Sequence, residues 1–213
     1  MISPFDSRFL SPTKLFRRLS VMLAINGSPN KSQHAIARQT HLSSSMVNNY
    51  IKRLHEERLI RVEGTTNRNQ TYHLTDAGHK SLREAFLAYS AEIVRLYGAV
   101  KTEISEILMG FFMEGVRSVV LFGVAETAEV VYAAIKQTPL VVDAVVDSDE
   151  KKQGKLFNGL VIQAPDTLQW MHPDAVVITS FGKQEEIYTS VKTLVPSKVK
   201  IKRLSEHPVV LEA

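Results

Sequence analysis

No cysteine occurs among the 213 residues, so no disulfide framework, thiolate metal site or thiol nucleophile can be built. Long apolar runs are also missing. None approaches the roughly 20 residues that a membrane-spanning helix needs, and Met1–Leu10 lacks the apolar centre of a signal peptide. These absences lead to the expectation of a cytoplasmic protein with no membrane partner. The seven histidines never fall into a ligand spacing such as HExxH. His34 and His41 are separated by a turn, His55, His73 and His79 are scattered, and His172 lies in a loop before Pro173-Asp174. No metal centre is expected.

What is present suits a folded protein: 44% of residues are hydrophobic and 23% charged, in a chain long enough for two modest domains. The net charge of +4 is unevenly placed. Residues 1–78 carry 11 Lys and Arg against 5 Asp and Glu, residues 79–115 carry 4 against 5, and residues 116–213 carry 11 against 12. The basic excess thus lies in the first third, where it could neutralise phosphates.

That first third has an ordered series of signals. Ser32 can cap a helix Gln33–Thr40, His41-Leu42-Ser43 makes a turn, and Ser43 caps a second helix from Ser44 to about Glu57. The second helix places Met46, Val47, Tyr50, Ile51 and Leu54 on an apolar face. Ser44, Ser45, Asn48, Asn49, Lys52 and Arg53 remain on the other side. After Leu59-Ile60, the segments Arg61–Glu63 and Thr71–Leu74 read as strands around a tip, 64–70, that carries Arg68. Helix, turn, helix and basic ribbon in this order describe a winged helix-turn-helix, an α+β unit whose expected partner is double-stranded DNA. An ordinary helical hairpin with a solvated polar face would account for any one of these signals, but not for the series.

Leu42-Ser43-Ser44-Ser45-Met46-Val47, Leu54–Ile60 and Leu74-Thr75-Asp76-Ala77-Gly78 together resemble the MarR-type winged-helix regulators. In that family the first run opens the recognition helix. The resemblance implies base contacts from Ser44, Ser45, Asn48 and Asn49, and phosphate or minor-groove contacts from Lys52, Arg53 and Arg68. Two departures stand out. His41 and Arg58 occupy positions where the family commonly has glycine, so a left-handed backbone is expected to cost each about 1 kcal/mol. The single wing arginine, in place of an acidic-Arg-Arg cluster, implies a weaker minor-groove contact.

From His79 to Gly115 helix breakers are almost absent, and Leu82, Phe86, Tyr89, Ile93, Leu96, Val100, Ile104, Ile107 and Phe111 recur every three or four residues. The stripe requires a partner surface. It could pack on a first helix, Pro12–Ile25, through Leu15, Leu19, Met22 and Leu23, or it could form a homodimer that spaces two recognition helices on DNA. Gly98 interrupts the stripe and could divide it into two helices.

Beyond Arg117 the pattern becomes strands alternating with helices. Ser118–Phe122, Val141–Val146, Ala175–Thr179 and Val199–Ile201 read as strands, and Glu126–Gln137 and Lys183–Leu194 as helices. This alternation predicts an α/β, Rossmann-like domain with a small parallel sheet. Its first turn, Gly123-Val124-Ala125-Glu126-Thr127-Ala128, follows a strand and opens a helix, and Asp147 ends the next strand. Gly123, Ala125, Thr127 and Asp147 are therefore candidate cofactor contacts, with Asp147 available to a ribose hydroxyl. Ala125 stands where glycine lets backbone approach a pyrophosphate, and Glu126 opposes an anion at the helix start. The residues thus leave the cofactor open, with a nucleotide or nucleotide sugar fitting better than NAD(H). A plain strand-to-helix turn with no ligand accounts for them equally well.

The run Val145–Val161 resembles two groups: the Rossmann-like domain preceding sugar-nucleotide acetyltransferases, and the C-terminal domain of Rex repressors. Rex also implies the domain order, a winged helix followed by a Rossmann domain. Tyr188 and Lys192 fit the YxxxK of short-chain dehydrogenases, but they stand far too close in sequence to Gly123 for that family. No catalytic residues are expected. The expected organisation is a winged helix-turn-helix over 1–78, a helical linker or dimerisation region over 79–115, and a Rossmann-like domain over 116–213. The expected function is a homodimeric, non-enzymatic transcription regulator with a small-molecule effector. The alternative is a sugar-nucleotide-binding enzyme or accessory whose winged helix makes protein contacts.

Overall fold

The computed structural model describes residues 11–28, 30–64 and 70–206, and the chain divides into two units between Val94 and Arg95. The first unit begins with three helices, α1 (Lys14–Gly27), α2 (Gln33–Thr40) and α3 (Ser44–Glu56). Thr13, Ser32 and Ser43 cap them, each side chain accepting an amide hydrogen bond three residues ahead. Strands β1 (Ile60–Glu63) and β2 (Thr71–Leu74) form an antiparallel ribbon with Ile60 opposite Leu74 and Val62 opposite Tyr72. Leu19, Met22 and Ile25 of α1, Ile36 of α2, Val47, Ile51 and Leu54 of α3, and Ile60, Tyr72 and Leu74 of the ribbon share one core.

The corners of this unit show why its sequence departures are tolerated. α2 and α3 both end with a non-glycine residue in the left-handed region, His41 at φ 53° and Arg58 at φ 58°. In each case the next amide reaches back over the turn, Leu42 N–H to Ala37 O and Leu59 N–H to Leu54 O. Both ends are therefore Schellman closures in which hydrogen bonds offset the strain of a side chain at positive φ. Thr75 then starts the next helix, its hydroxyl donating to Arg58 O and accepting from Gly78 N–H. A Cβ on Gly78 would overlap the carbonyl oxygen of Leu59, so glycine is required there for close approach.

Helix α4 runs from Asp76 to Met113. The sequence suggested a break at Gly98, but the helix passes through it, because a single glycine costs only about 1 kcal/mol against alanine in a helix interior. Leu82 joins the first unit's core, and the Tyr89 ring lies 5.2 Å from that of Phe16 of α1. Ile104, Leu108 and Phe111 belong to the core of the second unit.

In the second unit the strands are β3 (Ser118–Phe122), β4 (Val141–Val146), β5 (Leu156–Phe157), β6 (Leu160–Gln163), β7 (Ala175–Ile178) and β8 (Lys200–Arg203). Helices α5 (Glu126–Ile135) and α6 (Gln184–Leu194) lie between them in sequence. The sheet order is β5-β6-β4-β3-β7-β8, parallel except where β5 pairs antiparallel with β6. Alternate residues of β3 separate the two cores. Val119 and Leu121 pack with α5 and the end of α4, whereas Val120 and Phe122 pack with Leu168 and with Val191 of α6. The β5–β6 hairpin was not anticipated from the sequence. It turns through Asn158 at φ 49° and Gly159 at φ 87°, as a two-residue primed turn demands.

Candidate nucleic-acid interface

Helix α3 separates its residues cleanly. Val47, Ile51 and Leu54 are buried, Met46 and Tyr50 are half-buried, and Ser44, Ser45, Asn48, Asn49, Lys52 and Arg53 are all exposed. Ten residues from Ser44 to Arg53 span about 15 Å of helix, and a helix about 10–12 Å in diameter fits along a DNA major groove about 12 Å wide. Hydrogen bonds order part of this face. The Ser45 hydroxyl lies 3.0 Å from that of Ser43, and Asn48 Oδ1 accepts from Gln33 Nε2 of α2 at 3.5 Å. Sequence reasoning missed Gln33, although its place as the first residue of α2, just beyond the Ser32 cap, was a signal. Arg68 lies outside the described residues.

Contacts between α1 and α3 fix the attitude of the exposed face. Arg18 holds Glu57 through two hydrogen bonds, of 2.8 and 2.5 Å, and the Tyr50 hydroxyl donates to Lys14 O at 3.3 Å. The hydrogen bond from Arg18 holds the Glu57 carboxyl below its ordinary pKa, against the opposing effect of burial, with Arg53 adding to the lowering.

The second candidate site is the turn after β3. Asp147 was expected to be available to a ribose, but the structure turns it inward and it is only 7% exposed. Its Oδ2 accepts from Val124 N–H at 2.6 Å and Lys152 Nζ at 3.0 Å, and its Oδ1 accepts from Asp149 N–H at 2.8 Å. Burial alone would raise the Asp147 pKa. The Asp149 and Val124 amides and the Lys152 ammonium outweigh it and hold the carboxyl below its ordinary value. The acid therefore ties the turn to its own strand. Lys152, five residues on, was not anticipated in this role.

The other turn residues are arranged as follows. Gly123 has φ 98°, and a Cβ there would meet the Thr179 hydroxyl at 3.2 Å. Thr179 is fully buried, with its hydroxyl 2.5 Å from Gly123 O and 3.0 Å from Phe122 O. Ala125 precedes α5 without a side-chain cap, Thr127 is half-buried, and Glu126 and Glu129 put two carboxylates in the first turn. Those charges oppose an anion at the helix start. Tyr188 and Lys192 lie on α6, where Arg203 stacks 4.5 Å from the Tyr188 ring. Among the described residues no group of His, Asp and Glu is arranged to hold a metal, and no helix is long and apolar enough to cross a membrane.

Residues 17–61 match the winged helix-turn-helix DNA-binding family, and residues 115–202 match a family described as C2185-like, N-terminal. No curated protein matches the chain. Among solved structures, a Listeria innocua protein of unknown function is 25% identical with a TM-score of 0.35, over 45% of this chain and 64% of that one. MepR, a transcription regulator of the Staphylococcus aureus multidrug efflux pump MepA, is 21% identical with a TM-score of 0.33, over 39% and 62%. The chain thus spans less than two thirds of the length of both. RSP, a Rex-family repressor, superposes over 88% of this chain and 82% of its own at 8% identity, with a TM-score of 0.32. All three superpositions are loose, and none is evidence of shared function.

Proposed function

We propose that the chain is a homodimeric, non-enzymatic transcription regulator of the MarR type that inserts α3 into the major groove of DNA. In this reading Ser44, Ser45, Asn48 and Asn49 meet base edges. Lys52 and Arg53 meet phosphates, and Arg68, which falls between the two ribbon strands in sequence, meets the minor groove. The observation that carries the reading is the division of α3, with six polar or basic residues exposed along one side and Val47, Ile51 and Leu54 buried on the other. The match of residues 17–61 to a DNA-binding family supports it. Selection from a random duplex pool tests it: a recovered operator whose affinity falls steeply with salt is expected, and failure to enrich any sequence or to bind duplex at low salt would overturn it.

The dimer is supported by Phe86, Leu87, Val94, Leu96, Tyr97 and Val100 of α4, all exposed apolar residues. Leu82 and Tyr89, named with this stripe from the sequence, are instead engaged within the first unit. The sensing role is supported by the sheet. Numbered in sequence order, the parallel strands run 3-2-1-4-5, an order that in open α/β sheets favours ligand binding beyond the carboxyl ends of the two strands at the reversal, here β3 and β7. A nucleotide or nucleotide sugar held there rests on Gly123, Ala125 and Thr127, because Asp147 is already occupied. Thermal scans with UDP, UDP-sugars, ADP and NADH test this role: a rise with a nucleotide or nucleotide sugar that survives Lys152→Ala is expected, and no rise with any of them would remove it.

A further inference from the structure

The flank of α3 that faces α1 holds a cavity of about 200 Å³ lined by Lys14, Arg17, Met46, Asn49, Tyr50 and Arg53. Three of these six side chains are cationic. Among the described residues none of the three forms an ion pair with a carboxylate, and Glu57, whose charge Arg53 also feels, is held by Arg18. The three like charges repel one another and Glu57, the carboxylate that Arg53 feels, is held by Arg18, so an anion from outside would stabilise the arrangement. The cavity also lies at the start of α1, whose first turn contains no acidic residue, so the helix dipole adds to the positive potential. Its walls are held in place. The Tyr50 hydroxyl bonds Lys14 O at one end of α1, and the Arg18–Glu57 pair ties the helices one turn further on.

We infer that this notch binds a DNA backbone phosphate, with Lys14 and Arg17 of α1 and Arg53 of α3 as its ligands. The inference rests on the DNA-binding reading above and adds two residues and an anchor to it. Asn49 borders both the exposed face and the notch, so a duplex that offers a base edge to Asn49 carries the wall of its major groove past Lys14 and Arg17. Met46 and Tyr50 supply a less polar floor suited to the sugar beside the phosphate. Such a contact fixes the angle at which α3 enters the groove and carries no sequence information of its own.

The test is fluorescence anisotropy of the full chain on a random-sequence duplex and on a selected operator, between 50 and 200 mM salt. Lys14→Ala and Arg17→Ala are each expected to weaken both duplexes by the same factor, and the Lys14→Ala, Arg17→Ala double variant to reduce the salt slope by about 0.9, the value for one phosphate contact. Over a fourfold salt range that slope change is about a 3.5-fold narrowing of the affinity drop. Arg17→Gln serves if the alanine variant melts early. Replacing single phosphates of the operator with methylphosphonate should reveal one position per half-site that weakens the parent more than it weakens the Lys14→Ala, Arg17→Ala double variant. If Lys52→Ala flattens the slope while the Lys14→Ala, Arg17→Ala double variant does not, the notch is overturned and the DNA-binding reading stands. If inorganic phosphate raises the melting temperature of the parent but not of Arg17→Ala, with the DNA slope unchanged by that substitution, the notch takes a free anion and the backbone assignment falls. A parent with no salt-dependent affinity for any duplex overturns the DNA-binding reading itself.

Discussion

Replacing Asp147 with alanine should destabilise the second unit whether or not a ligand is present. The carboxylate accepts from two backbone amides, at 2.6 and 2.8 Å, and from Lys152 at 3.0 Å, while only 7% exposed. Hydrogen bonds to a charged group contribute about 1.5–3 kcal/mol each, and removing the acceptor leaves the amide of Val124 without its partner. Lys152 is more than a third exposed, so its share is discounted for solvent screening. The two amides alone give about 3–6 kcal/mol, a fall in melting temperature of roughly 10–30 °C for a unit of this size. Calorimetry of the full chain reads the transition, and hydrogen exchange at Val124 reports the local opening. The sign with pH follows from the depressed pKa: the contribution is fully present above the unfolded value near 4 and is lost as pH falls through the lower folded value. The gap between parent and variant should therefore close at acid pH. Unchanged melting with unchanged exchange at Val124 would refute the reasoning.

Two further outcomes follow from the fold. Gly78→Ala should lower the melting temperature of the first unit, because the new methyl would collide with the Leu59 carbonyl. A cost of about 2 kcal/mol or more is expected from displaced backbone, and a neutral result in denaturant titration would contradict the close approach. Val94→Lys with Tyr97→Glu on α4 should leave secondary structure intact, because both residues are exposed. It should also shift sedimentation from dimer to monomer and cut operator affinity by more than tenfold, whereas an unchanged dimer would place the interface elsewhere.

The sequence made local backbone chemistry most legible. Ser32 and Ser43 cap the two helices, and the strain anticipated at His41 and Arg58 is present, because each is a property of a few adjacent residues. The four main strands of the second unit were visible from their β-branched runs. The β5–β6 hairpin has an Asn158-Gly159 turn signal, but its strands of two and four residues are too short to show a period. Side-chain allegiance was less visible. Leu82 and Tyr89 have the same spacing as the exposed members of the α4 stripe, and only Phe16 and the α1 core separate the two groups. Asp147 ends a strand as a ribose-binding acid would, yet its direction is set by Val124 and Lys152, which no spacing rule identifies. The notch escaped notice for the same reason: Lys14 and Tyr50 stand 36 positions apart.

The central claim is that the exposed side of α3 reads DNA, and comparing Asn49→Ala with Lys52→Ala on a selected operator and its single-base variants tests it most directly. Asn49→Ala should lose about 1–3 kcal/mol of discrimination at one base pair with little change in non-specific affinity. Lys52→Ala should weaken every sequence alike and reduce the salt slope by about one. Parental specificity and parental salt dependence in both variants would contradict the claim.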